Sequence, residues 1–162
     1  MTSSPAIDRA VEAISASGLT VCCAESCTGG LIGSTITSYP GASRFFLGSA
    51  VTYSNEAKES LLGVPLGILI AYGAVSEETA AEMARGARKL YSADVSVAVT
   101  GIAGPGGATE TKPVGLVYIA VSSERGERVS KHRFDGDREA VRKQTAEAAI
   151  TMLADEASAV RW

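Results

Sequence analysis

The chain is predicted to be an α/β protein, a three-layer α/β/α sandwich built around a mixed sheet. Three observations carry this. Short apolar runs alternate along the chain with segments whose apolar residues return at helical spacing, the pattern of stacked strand–helix units. One run, residues 95–100, is apolar almost without interruption, which suits a strand covered on both faces. Late in the chain two strand-like runs, residues 114–122 and 127–134, are joined by Ser123-Glu124-Arg125-Gly126. That is a hairpin, so the sheet cannot be wholly parallel.

The elements follow in order. Ser4-Pro5 starts a helix with proline at its first position, Ile7, Val11 and Ile14 share one face, and Gly18 ends it. Residues 19–23 form the first strand and residues 28–38 the second helix, stopped by Tyr39-Pro40-Gly41. Residues 45–53, rich in β-branched and aromatic side chains, form the next strand. Ser54 caps a short helix to Leu62, closed by Gly63. Ser76 caps a longer one to Tyr91, with Ala80, Met83, Ala84, Ala87 and Tyr91 on its apolar face. After the buried strand comes a Gly- and Pro-rich loop from Gly101 to Pro113, then the hairpin. A final helix from about Asp137 to Ala157 turns Val141, Thr145, Ala148 and Met152 inward.

Composition bounds the function. At 162 residues the chain reads as one domain, residues 1–162, long enough to bury a core. Hydrophobic residues make up 46% and charged ones 20%, an ordinary globular balance. A net charge of −3 gives no footprint for nucleic acid. The longest apolar run, residues 64–75, is broken by Pro65, Gly67 and Gly73 and is too short for a membrane span. The N-terminus lacks the basic region of a secretory signal. Three cysteines at 22, 23 and 27 cannot all pair, which reads as reduced thiols in a cytoplasmic protein, and they do not have zinc-ligand spacing.

Three constellations carry chemistry. In Ala24-Glu25-Ser26-Cys27-Thr28-Gly29-Gly30 a strand stops and turns into a helix, raising a hydroxyl at the sheet's edge and leaving the helix's first N–H groups facing whatever docks there. Ser26 needs a base, and a Ser-His-Asp triad is improbable because the chain's one histidine, His132, lies on a late charged strand. Attention passes to Tyr53-Ser54-Asn55-Glu56-Ala57-Lys58. If the strands ending at Ser26 and Tyr53 are neighbours, these groups converge, and burial would have to bring Lys58 down toward neutrality for it to act as a base. Taken singly, Ser26 reads as a helix cap, Lys58 as a solvated charge and Tyr53 as a half-buried strand residue. Cys27 is a competing nucleophile with no evident cation to make it a thiolate.

The second constellation is Thr100-Gly101-Ile102-Ala103-Gly104-Pro105-Gly106-Gly107, at the end of the buried strand where α/β sheets bind ligands. Its glycines allow a concave array of N–H groups for phosphate or carboxylate, and also fit a plain flexible turn. Lys112 could add charge there. The third is Arg138 and Arg142, four apart on one helix face, an anion fork or an ordinary paired surface.

These blocks, with Pro40-Gly41-Ala42-Ser43, Gly73-Ala74-Val75-Ser76, Lys112-Pro113-Val114-Gly115 and Gly136-Asp137-Arg138, run through almost the whole chain in the order seen in the nicotinamide-nucleotide amidase family. That family is also described as the C-terminal domain of the competence/damage-inducible protein CinA, and the chain resembles its stand-alone form. The resemblance implies hydrolysis of the carboxamide of nicotinamide mononucleotide, in pyridine nucleotide salvage, without metal or other cofactor and in dimers or larger homo-oligomers. It makes Ser26 the nucleophile, with Tyr53 and Lys58 activating it and shuttling protons. Glu25, Thr28, Gly29, Gly30, Asn55, Thr100, Gly101, Gly104, Pro105 and Gly106 would hold the substrate, with Arg138 and Arg142 at its phosphate. A non-catalytic nucleotide- or phosphate-binding module is the alternative. Residues 64–72 are more apolar than a surface helix of this family requires, and read as an oligomer contact or as core.

Overall fold

The structure, a computed structural model, describes residues 4–160. Residues 1–3, part of the N-terminal segment read above for a secretory signal, and residues 161–162 lie outside the described residues. In chain order the elements are α1 (Pro5–Ser17), β1 (Val21–Glu25), α2 (Leu31–Thr37), a 3-10 turn (Ala42–Arg44), β2 (Phe46–Val51), α3 (Asn55–Leu62), α4 (Leu66–Tyr72), α5 (Glu77–Tyr91), β3 (Val95–Gly101), β4 (Leu116–Ser123), β5 (Gly126–Arg133) and α6 (Arg138–Val160).

The five strands form one sheet in the order β2-β1-β3-β4-β5. β1 runs parallel to both β2 and β3, and the β4–β5 hairpin is antiparallel, so the sheet is mixed. Helices cover both faces. Val21, Cys23, Val95, Val97, Val99 and Ile119 point to a core shared with α1, α2 and α6. Cys22, Ala24, Ala98 and Ala120 point the other way, to α3, α4 and α5. Alternate residues of β1 and β3 therefore feed two different cores, which is why both strands read as unbroken apolar runs.

Local capping sets the helix starts. The Ser4, Ser54 and Ser76 hydroxyls accept from the N–H groups of Ile7, Ala57 and Thr79, each worth about 1 kcal/mol. Gly86 of α5 lets α3 come in close: a Cβ there would sit 2.0 Å from the Leu62 carbonyl oxygen.

Some expectations shift. β1 covers 21–25 rather than 19–23, because the pairings reach Glu25 on both sides. α2 begins at Leu31 rather than residue 28, since Gly29 and Gly30 have φ of +58° and +104° and cannot continue a right-handed helix. On α6 Ala148 and Met152 are only partly buried, while Ala149, Ile150 and Leu153 are fully so. α1 packs on α6 along with the sheet, which moves the covered stripe round by a residue. The apolar segment 64–72 reaches the core only through Val64 and Leu69; the rest of it, most of α4 included, lies at the surface.

Candidate active site

Register assembles the site. Glu25 pairs with Val51 on one side and Val99 on the other, so the next residues of three parallel strands emerge together at the carboxyl edge. Ser26 N–H donates to the Val99 carbonyl (3.2 Å), and Thr52 N–H donates to the Glu25 carbonyl (2.9 Å). Ser26, Thr52, Tyr53 and Thr100 are thereby set side by side, where parallel sheets place their ligands.

α3 then returns over this edge and drops Lys58 into it. Lys58 is 1% exposed. Its Nζ lies 3.1 Å from Ser26 Oγ, 2.9 Å from the Thr52 carbonyl oxygen and 3.2 Å from that of Tyr53. No carboxylate pairs with it among the described residues. Burial pushes the Lys58 pKa below its ordinary value, against a smaller opposing effect from Cys27. The three oxygens accept the three N–H bonds of an ammonium; a deprotonated Lys58 would keep two N–H bonds on the carbonyls and turn its lone pair to the Ser26 hydroxyl, the geometry a general base needs.

Two charged side chains fix the turn that carries Ser26. The Glu25 carboxylate is fully buried and accepts from the Thr28 and Ser49 hydroxyls (2.7 and 2.6 Å) and from the N–H groups of Gly30, Ile32 and Gly33 (3.2, 2.8 and 3.1 Å). This overturns one expectation: the first N–H groups of α2 do not face a docking ligand, because an internal carboxylate takes three of them. From α6, Arg142 donates through Nε to the Cys27 carbonyl (3.1 Å) and through Nη2 to that of Thr28 (2.8 Å).

A cavity of about 240 Å³ opens at Ser26 and Lys58, lined also by Cys27, Tyr53, Ala74, Thr100 and the 101–107 loop. Thr100 donates to the Ala74 carbonyl (2.7 Å), holding the 74–75 wall against β3. Arg138 reaches across the mouth, donating to the Gly104 carbonyl (2.8 Å) and the Tyr53 hydroxyl oxygen (3.3 Å). A second cavity of about 760 Å³ adjoins it through Ala103 and Arg138, lined by Pro105, Val114, Gly136, Asp137, Glu139 and Arg142.

The structure thus gathers Ser26, Tyr53, Lys58, Thr100, Gly101, Gly104, Gly106 and Arg138 around one cavity, with Pro105 and Arg142 at its neighbour. Glu25, Thr28, Gly29, Gly30 and Asn55 line neither. Lys112 instead donates to the Tyr72 carbonyl at the end of α4 (2.7 Å). Cys27 is buried and burial pushes its thiol up to about 11, leaving it protonated at neutral pH. His132 sits on β5, stacked on Phe134 and three strands from β1, so it forms no triad with Ser26. Sequence reasoning missed the carbonyls of Thr52 and Tyr53, since only the β2–α3 corner brings main chain to Lys58.

Residues 4–157 match the family described as the CinA C-terminal domain. A CinA-like protein of Geobacter metallireducens is 52% identical over 136 residues, which are 84% of this chain and 33% of that protein. One of Fervidobacterium nodosum is 49% identical over 146 residues, 90% of this chain and 36% of that protein. The chain spans about a third of the length of these curated relatives. The crystal structure of the competence/damage inducible protein CihA from Agrobacterium tumefaciens superposes with a TM-score of 0.89 at 41% identity, covering 96% of this chain and 98% of that one. A CinA superfamily protein from Klebsiella pneumoniae gives 0.90 at 33% identity, covering 95% and 96%.

Proposed function

This chain belongs to the CinA C-terminal domain family, and from that premise we propose that it is a cytoplasmic amidohydrolase. The reaction is deamidation of nicotinamide mononucleotide to nicotinic acid mononucleotide and ammonia, a step of pyridine nucleotide salvage. The observation that carries the reading is Lys58: a fully enclosed amine with no carboxylate partner among the described residues, 3.1 Å from Ser26 Oγ.

Lys58 takes the Ser26 proton as Oγ bonds to the carboxamide carbon. The tetrahedral intermediate then collapses, the C–N bond breaks, and the nitrogen leaves as ammonia with a proton from Lys58, relayed with help from the Tyr53 hydroxyl. A water gives its proton to Lys58 and adds to the Ser26 ester; the acyl C–Oγ bond breaks, Ser26 Oγ takes that proton back, and the acid leaves. Amide and water become acid and ammonia, and the enzyme is restored. In this reading Thr100 and the Gly101–Gly106 main chain take the flat pyridine and Arg138 takes the phosphate, which is supported by Arg138 lining both cavities. Assembly into homo-oligomers is part of the proposal, supported by the apolar surface of α4, where Leu66 is 53% and Ile70 76% exposed.

The test is ammonia release from purified protein given nicotinamide mononucleotide, beside Ser26→Ala. Release by the unmodified protein alone is expected. Nucleotide bound without release by either would move the assignment to a non-catalytic binding module.

A further inference from the structure

We propose that Lys112 is a positioning residue: by donating to the last carbonyl of α4 it straps the 103–114 loop down beside the Ser26 cavity, and so sets how tightly a nucleotide is held there. The substrate in this inference rests on the amidohydrolase reading, while the strap itself is a property of the fold.

The loop leaves the sheet between two backbone bonds, from Ile102 N–H to the Leu116 carbonyl (2.9 Å) and from Gly115 N–H to that of Ile102 (2.7 Å). Beyond this neck residues 105–111 are all exposed, so little apolar burial holds them. The tip closes on itself: Thr109 N–H donates to the Lys112 carbonyl (2.8 Å), and Lys112 N–H to the Thr109 hydroxyl (3.1 Å). That turn fixes Lys112 relative to the tip and ties the tip to nothing else. Among the described residues, two hydrogen bonds run from 103–114 to a distant element. The Arg138 guanidinium donates to the Gly104 carbonyl (2.8 Å), and the Lys112 amine donates to the Tyr72 carbonyl (2.7 Å).

These two straps go to opposite layers. Arg138 opens α6, on the face shared with α1 and α2, whereas α4 packs on the other face. Residues 101–107 line the Ser26 cavity, and so do Ala74 and Val75, which follow directly from Tyr72 and Gly73. Lys112 therefore joins the two segments that supply this part of the lining. Its acceptor suits a cation. Tyr72 ends α4, no basic side chain lies in that helix's last turn, and carbonyls at a helix C-terminus carry partial negative charge. The amine meets no carboxylate among the described residues that would compete for it. Gly73 leaves it room, since a Cβ there would stand 3.1 Å from Nζ.

Arg138 has a second task at the phosphate, so Lys112 is the strap committed to the loop alone. A loop held closed in advance binds without first being ordered. Once released it is competent only part of the time, and apparent affinity falls by that fraction. The bound state is the same in both cases, so the loss falls on KM and not on kcat.

The experiment compares unmodified protein, Lys112→Met and Lys112→Arg in two assays. The first is turnover of nicotinamide mononucleotide and of the riboside that lacks its phosphate. Lys112→Met is expected to raise KM at least about fivefold for both, with kcat within about threefold. Lys112→Arg, which keeps charge and donors, should recover most of that loss. A rise for the nucleotide alone would make Lys112 a phosphate contact and overturn the proposal, as would KM within about twofold of normal on both substrates. The second assay needs no turnover: native digestion by a protease that cuts after glutamate, with sites mapped by mass spectrometry. Glu110 is the one acidic residue of 103–114. Cutting there should be at least about fivefold faster in Lys112→Met than in the unmodified protein, with Lys112→Arg close to the latter. Equal cutting in all three would overturn the strap. If the unmodified protein releases no ammonia from either carboxamide, the amidohydrolase reading fails and the effect on nucleotide binding with it, and the digestion alone decides whether Lys112 holds the loop.

Discussion

Lys58 shows how a fold can enclose a residue type that ordinarily stays at the surface. Long cationic side chains are rarely buried without an anion, yet the amine here meets two carbonyls and a hydroxyl. Its pKa is held below the unfolded value of 10.5 by burial. In the window between the two values the unfolded chain binds more protons, so stability rises with pH, and below the folded pKa the burial penalty is complete. We expect the Tm of Lys58→Met, measured relative to the unmodified protein, to rise as pH is lowered from 10.5 toward neutrality, while its turnover falls at least about a thousandfold. A pH-independent Tm difference would contradict the burial argument. Cys27 offers the converse case. A buried thiol with a pKa of about 11 should resist iodoacetamide near pH 7, and turnover after treatment should be unchanged. Loss of activity with alkylation mapped to Cys27 would return it to candidacy. Ser26 and Lys58 were legible as residue types, because a serine without a histidine needs another base. What could not be read was Lys58's enclosure, which depends on a corner of main chain from another element.

Among the elements, α2 and α3 do the positioning. The start of α3 was plain from sequence, because the Ser54 cap is chemistry within one turn. The start of α2 was not, because Glu25's partners come from the turn, from α2 and from Ser49 of β2, and only register brings them together. Glu25→Ala would leave three backbone donors and two hydroxyls unpaired; we expect a loss of about 3 kcal/mol or more in denaturant unfolding, with activity lost too. α3 is held by a contact no local pattern reveals. Gly86→Ala would drive a methyl into the Leu62 carbonyl at 2.0 Å. A cost of about 1–3 kcal/mol is expected, together with a fall in kcat, since α3 carries Lys58. Unchanged unfolding and turnover in Gly86→Ala would show that the α3–α5 contact can relax.

At the scale of the molecule, alternating strand and helix patterns announced the mixed sheet, and the hairpin announced its antiparallel edge. Strand order was not legible, yet order makes the site: β1 lies between β2 and β3, so Ser26 has Thr52 and Tyr53 on one side and Thr100 on the other. α4 brings the assembly question into the open, since Leu66, Ile70 and Tyr72 present an apolar face without a charged residue on the helix. If that face is the contact between copies, Ile70→Glu should lower the mass measured by light scattering to that of a monomer; an unaltered mass would place the contact elsewhere. The sheet order and the return of α3 over its edge converge on one claim, that a neutral Lys58 activates Ser26. The most direct measurement is kcat for ammonia release from nicotinamide mononucleotide as a function of pH, in the unmodified protein and in Lys58→Ala. If Lys58 is the base, the rate climbs with pH through a midpoint below 10.5 and all but vanishes in the variant. Lys58→Ala turning over within about tenfold of the unmodified rate, with the same ascending limb, would contradict it.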